Sequence, residues 1–300
     1  MLVLLAATLL VASGCAAQPP AADGSAQGGS DGLEVVASMS IIADFAEQVG
    51  GERVEVTTLV PIGGDPHVHE PTPADARAVN DADLVLGNGV GLEPWFDAIV
   101  AGSGREVVTV TDELAHLVVD DDEGEPDPHL WMVPSLAAAY VERIAEELAH
   151  LDPEHAPVYR DNAAAYVDRL EQLDEELAAE LEQVPASRRT LVTSHDAYSY
   201  FADRYGLDVE AVVGVSTEEE PSARRVQQLI DLVRDTGVPT IFVEATVNPS
   251  VIERIADDAG VEVGDPLYGD SVGEPGSGAE DYVGMMRANV AALVEGLADA

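Results

Sequence analysis

From Leu33 onward, short apolar runs alternate with amphipathic stretches. Leu33 to Ala37, Val54 to Val60, Leu84 to Leu86 and Val107 to Val110 have strand length, while Ile41 to Val49 and Pro73 to Asn80 carry helical patterning. Strands separated by helices predict a parallel sheet flanked by helices. Turn residues fall where this scheme needs them, with Gly50-Gly51 after the first helix and Gly63-Gly64 after the second strand. Thr72-Pro73 reads as an N-cap followed by proline at the first helical position. Gly87-Asn88-Gly89-Val90-Gly91 follows a strand but lacks the GxGxxG spacing of a dinucleotide site, and predicts a tight turn.

Between Pro134 and Val184 the pattern becomes long amphipathic helix, broken at Asp152-Pro153. Beyond the break, Tyr159, Tyr166, Leu170, Leu173, Leu177 and Leu181 recur at spacings of seven, four and three. A helix from Pro153 to Val184 would be roughly 45 Å long, long enough to act as a spine between two halves. The strand–helix alternation then resumes. Thr190 to Thr193, Val209 to Val213, Thr240 to Glu244 and Val261 to Val263 are strand candidates, with helices near 197–205, 222–236, 249–259 and 280–297. The expected fold is therefore α/β: two lobes at 33–152 and 185–300, each with a mostly parallel sheet flanked by helices, joined by one long rigid helix over 153–184 and enclosing a cleft.

The first 32 residues have another character. Met1 to Val11 is apolar but too short to span a bilayer, and small residues lead from it into Cys15, the only cysteine. This reads as a signal peptide over 1–15 with a lipobox-like end, in which Cys15 becomes the lipid anchor. No Lys or Arg precedes the apolar run, and Ala12 stands three before the cysteine where leucine is usual. Residues 16–32, rich in Ala, Gly, Ser, Pro and Gln, form a flexible tether with a reach of about 20–25 Å. One cysteine permits no intramolecular disulfide, so an exported domain here relies on packing alone.

Charge narrows the partners. There are 57 acidic residues against 14 basic ones, every basic residue is arginine, and the formal net charge is -43. Such a surface repels nucleic acid and anionic membrane and attracts cations, although the simplest source of the bias is a high-salt or high-GC host.

Seven histidines bring chemistry to this frame, and their contexts differ. His67 and His129 each follow an Asp-Pro step in a loop that runs into a helix, where proline stiffens the ligand's approach. His195 ends the Thr190–Thr193 strand, where an open α/β sheet collects its ligands, and is expected to face a crevice. Asp270 lies in a Gly-rich loop after the last strand. Three imidazoles and a carboxylate complete a shell for a divalent cation such as zinc and leave one net positive charge around it. His116, His150 and His155 sit on or beside charged helical stretches and read as solvated. His69, two residues from His67, is a weaker candidate for an auxiliary ligand. Taken alone, any one loop histidine is more often a surface or hydrogen-bonding residue than a ligand.

Several ordered motifs together resemble the solute-binding lipoproteins of bacterial ABC transporters for zinc and manganese. They are DPHxxEPTP at Asp65 to Pro73, NGxGLEPW at Asn88 to Trp95, DPHLWMVP at Asp127 to Pro134 and VTSHDAYSYFADRYGL at Val192 to Leu207, followed by STEEEPSA from Ser216, FVEATVNP from Phe242 and LYGDSVG around Asp270. The resemblance implies one zinc or manganese ion held between the lobes by His67, His129, His195 and Asp270. It also implies a monomer on the outer face of the cytoplasmic membrane, no enzymatic activity, and delivery to a permease driven by an ATPase. Zinc receptors of that family often carry a His-rich loop before the second histidine; here the segment from Asp120 to Glu125 is acidic and contains no histidine. The four-nitrogen/oxygen shell favours zinc, with manganese close behind. Two rivals from other classes are a zinc hydrolase, which needs an open coordination position and a general base, and a metal-independent adhesin with an exposed apolar patch.

Overall fold

The computed structural model describes residues 32–119, 124–218 and 220–298. The expected signal peptide, Cys15 and almost all of the expected tether lie outside the described residues, as do Asp120 to Glu123 of the acidic stretch.

The first half is built from β1 (Leu33–Ala37), α1 (Ser40–Gly50), β2 (Val54–Thr58), α2 (Pro73–Asp81), β3 (Leu84–Gly87), α3 (Phe96–Ser103) and β4 (Val107–Thr109). Its strands are all parallel in the order β2-β1-β3-β4, with Val35 opposite both Val56 and Leu84. Alternation along β1 and β3 sends Val35, Ala37, Leu84 and Leu86 to one face and Val36 and Val85 to the other, so both faces are buried. The Thr72 cap is a full capping box, with Thr72 Oγ1 accepting from Ala74 and Asp75 and the Asp75 carboxylate accepting from the Thr72 N–H. Gly89, Val90 and Gly91 all take positive φ, closing the tight turn expected there.

A helical hairpin follows, α4 (Pro134–Leu151) and α5 (Ala156–Leu181). The spine is shorter than the sequence pattern suggests, 26 residues and about 39 Å. Residues 152–155 turn instead of joining the helix, with His155 N–H bonded to Asp152 O.

The second half contains β5 (Thr190–Thr193), α6 (Ser199–Tyr205), β6 (Asp208–Ala211), α7 (Ala223–Thr236), β7 (Thr240–Ile241), α8 (Ser250–Ala259), β8 (Glu262–Val263) and α9 (Tyr282–Ala298). Two parallel pairs, β5-β6 and β7-β8, meet where Phe242 N–H donates to Val192 O at 2.9 Å. This gives the spatial succession β6-β5-β7-β8, the same as in the first half. The β7 ladder stops earlier than Glu244. Beyond Ile241 the pairing continues only as an isolated parallel bridge from Glu244 to Leu267, and there Glu244 N–H reaches Ser194 Oγ and the Glu244 carboxylate reaches His195.

Each sheet has its own outer cluster, around Val85 and Phe96 in the first half and around Ile230 and Ile255 in the second. The inner faces share one continuous core with α1, α4, α5 and α9. At its centre Phe45 packs edge-on against Tyr140, Tyr166 and Tyr282, which belong to α4, α5 and α9. A shared core of this kind resists wide hinge opening.

Candidate metal centre

The site assembles at the carboxyl ends of the strands. His67 and His129 arrive on loops of identical local design: in each Asp-Pro-His step the aspartate Oδ1 accepts the histidine N–H at 2.9 Å, forming an Asx turn. The proline carbonyls are held as well, Pro66 O by Trp95 Nε1 at 2.6 Å and Pro128 O by Asn88 Nδ2 at 3.2 Å. The NGxGLEPW segment is thus a brace for both histidine loops. Its own turn is fixed by buried Glu93, whose carboxylate accepts from Asn88 N–H and Gly89 N–H. His195 follows β5 directly, and Asp270 lies on the loop between β8 and α9.

All four expected ligands come together. One donor atom from each of His67, His129, His195 and Asp270 lies within 4.8 Å of the others. The three imidazole centroids form a near-equilateral triangle with sides of 5.3, 5.5 and 5.6 Å. Asp270 oxygens stand 3.9, 3.5 and 3.2 Å from the Nε2 atoms of His67, His129 and His195. None of these approaches is aligned as a hydrogen bond, which leaves the Nε2 atoms and both carboxylate oxygens buried without one. Two ligands each about 2.1 Å from a tetrahedral zinc would be roughly 3.4 Å apart. The donor set and its spacing fit a divalent ion.

His195 does not face an open crevice. It is fully buried, as are His129 and Asp270, because the Asp270 loop closes over the strand ends. His67 alone of the four lines a cavity of about 360 Å³, bounded also by Val90, Glu125, Gly214 and Glu218, and Thr217 bridges the two halves beside it through a 2.6 Å bond to Asp65. His116 and His150 are exposed, and His155 is partly buried against Asp152 rather than free in solvent. His69 stays outside the cluster, with Nε2 3.5 Å from Asp75 and its ring edge-on to Trp95.

Two carboxylates that the sequence did not single out stand behind the imidazoles. Asp127 Oδ1 is 2.7 Å from His129 Nδ1, and Glu244 Oε2 is 2.8 Å from His195 Nδ1 while Oε1 accepts the His195 N–H. The Asp127 hydrogen bond fixes the tautomer that presents His129 Nε2 to a metal, and Glu244 sets a carboxylate beside the corresponding nitrogen of His195. With them the site carries more negative charge than the four ligands alone supply. Asp127 was visible as the first residue of its Asp-Pro-His step; Glu244 had no local signal beyond an acid at a strand end.

These neighbours separate the imidazoles electrostatically. Burial lowers His67 to about 3, so it is neutral. Burial also disfavours charge on His129, but Asp127 and Asp270 outweigh it and raise that ring to about 9. His195 is likewise raised, Glu244 and Asp270 overcoming burial. Asp270 is held well below the usual carboxylate range, the histidines, chiefly His195, outweighing its burial.

A buried cluster of three imidazoles and a carboxylate between two α/β halves has the donor set of a divalent-metal site. Comparison places it further: residues 35–296 match the family described as zinc-uptake complex component A, periplasmic, and the chain belongs to that family, the metal-binding solute-binding components of ABC importers. A manganese-binding lipoprotein of Halalkalibacterium halodurans is 39% identical over 289 residues, covering 96% of this chain and 95% of that relative. A manganese ABC transporter substrate-binding lipoprotein of Streptococcus mitis is 32% identical, covering 89% of each chain. The periplasmic zinc-binding protein TroA of Treponema pallidum superposes with a TM-score of 0.86 at 31% identity, over 89% of this chain and 99% of its own. The family and its lipoprotein members place the protein outside the cytoplasmic membrane and outside the enzymes. Among the described residues no helix is long and apolar enough to cross a membrane.

Proposed function

We propose that the chain captures one divalent transition-metal ion through His67, His129, His195 and Asp270 and hands it to the membrane permease of its importer. The observation that carries this reading is the convergence of four buried donor atoms lacking hydrogen-bond partners. Three imidazoles and one carboxylate make zinc the ion that this shell prefers. Manganese is the second reading, favoured by the names of the relatives from Halalkalibacterium halodurans and Streptococcus mitis, and a bidentate Asp270 would serve it. The lobes 33–152 and 185–300, the linking helix between them and the tether 16–32 complete the proposed organisation, with Cys15 as lipid anchor and a monomer as the working unit. Elemental analysis of the full chain, purified without chelator beside His195→Ala and Asp270→Ala, tests the site. One equivalent of zinc or manganese, reduced in both variants, supports it. Substoichiometric metal indifferent to either substitution overturns it, and full zinc in Asp270→Ala would revive an open, hydrolase-like site.

A further inference from the structure

The loop bearing Asp270 passes from one half of the molecule to the other within a few residues. At Tyr268 it is tied to the second half: Tyr268 N–H donates to Asn289 Oδ1 of α9, and Tyr268 O accepts from Asn289 Nδ2, both at 2.8 Å. From the next residue onward it has partners in the first half. Gly269 O accepts from Trp131 Nε1 at 2.9 Å. Ser271 Oγ accepts from Gly63 N–H at 2.8 Å and lies 3.2 Å from Ser40 Oγ, which in turn accepts Val272 N–H at 3.1 Å. Trp131 follows His129 by two residues, and Gly63 precedes His67 by four. Each chain neighbour of Asp270 is therefore bonded to the segment that bears one of the first-half histidines.

Burial makes these bonds costly to break. Trp131, Ser40 and Ser271 are all buried, so water cannot readily replace a partner lost to any of the three, although the Gly63 end of its bond to Ser271 is exposed. The loop is also pressed against its far side, since a Cβ at Gly269 would stand 2.7 Å from Glu244 Oε2 and 3.2 Å from Ala197 Cβ.

We propose, building on the four-ligand reading, that Trp131 and Ser271, with Ser40 behind Ser271, are positioning residues for the bound ion. They form a two-sided clip that holds Asp270 in register with His67 and His129, and opening of the clip sets the rate at which the ion leaves. A carboxylate on a free loop would have to be ordered at each binding event and would be free to swing away; bonds on both of its neighbours meet that ordering cost beforehand. The clip is closed in the conformation that gathers the four donors, so leaving that conformation means breaking it. Departure requires the carboxylate to withdraw and the clip to yield. Its effect falls on dissociation more than on association.

Stopped-flow release of Zn²⁺ into excess chelator from the full chain tests this in wild type, Trp131→Phe, Ser271→Ala and Asp270→Ala. Phenylalanine keeps the ring that packs on His129 at 5.1 Å and removes only the N–H donor. The expected result is release about tenfold faster in Trp131→Phe and in Ser271→Ala, the scale of one buried hydrogen bond, with association rates unchanged. Should Ser271→Ala fail to fold, Ser40→Ala probes the same side and is expected to speed release as well. Lower melting temperatures with wild-type release rates would mean a merely structural role and overturn the clip. Release from Asp270→Ala that matches wild type would overturn Asp270 as a ligand, and the clip with it; fast release from Asp270→Ala beside unchanged Trp131→Phe and Ser271→Ala would overturn the clip alone.

Discussion

Loading the site with a dication at pH 7 should expel about two protons per ion, because two of its imidazoles hold protons that the metal must displace. In the metal-free protein His67 is neutral, while His129 and His195 are raised by Asp127 and Glu244 behind them and Asp270 in front. Binding then exchanges two protons for one doubly charged ion, and the net charge of the buried cluster does not change. This keeps the exchange affordable inside a low-dielectric core, where an uncompensated charge is heavily penalised. With two protons coupled to each ion, apparent affinity should change about 100-fold per pH unit near neutrality. The slope should flatten once the metal-free His129 reaches its own titration at about 9. Isothermal titration calorimetry at pH 7 in two buffers of different ionisation enthalpy counts the protons, and chelator competition from pH 6 to 9 gives the slope. A flat affinity profile with no buffer-dependent heat would refute the assignment of protons to His129 and His195.

Other expectations test the surroundings of the site. The stability of the metal-free protein should carry two opposite limbs: the contribution of His129 is complete below its unfolded value of 6.5 and lost as pH rises toward about 9, whereas that of His67 is lost as pH falls from 6.5 toward about 3. Chemical denaturation of the chelated protein across this range checks both limbs. Gly269→Ala should cost about 1–3 kcal/mol and weaken metal binding, because its Cβ meets Glu244 Oε2 at 2.7 Å; unchanged stability and affinity would show that the loop has room. Thr72→Ala removes the capping box of α2 and should cost about 1 kcal/mol by urea titration while leaving metal stoichiometry intact. Zinc at a thousandfold excess over its dissociation constant should add about 4 kcal/mol of stability, reversed by chelator, and an unchanged melting temperature would argue against a native-state site.

Much of this molecule was legible because its signals are local. The strand runs and turn residues place β1 to β8 within a few positions, and the Asp-Pro-His steps, the strand end at His195 and the Gly-rich loop pointed to the four residues that converge. What escaped depends on chain segments far apart in sequence. Glu244 reaches His195 only because its strand runs beside β5, a neighbour relation between segments some 50 residues apart that an apolar run cannot show. Trp131 and Ser271 look like core filler and loop polar residue until their partners across the molecule are seen. The burial of His195 is not legible locally for the same reason, since the loop that covers the strand end comes from residues some 75 positions later. The tight turn at Gly89 to Gly91 is legible from its glycines, but its use as a brace for both histidine loops rests on Asn88 and Trp95 reaching distant prolines.

The most direct test of the account is the anomalous scattering of crystals grown with one equivalent of zinc, recorded on both sides of the zinc edge. One strong peak within about 2.3 Å of the Nε2 atoms of His67, His129 and His195 and of an Asp270 oxygen is the predicted result. A peak elsewhere on the acidic surface, with these four donors left apart, would contradict it.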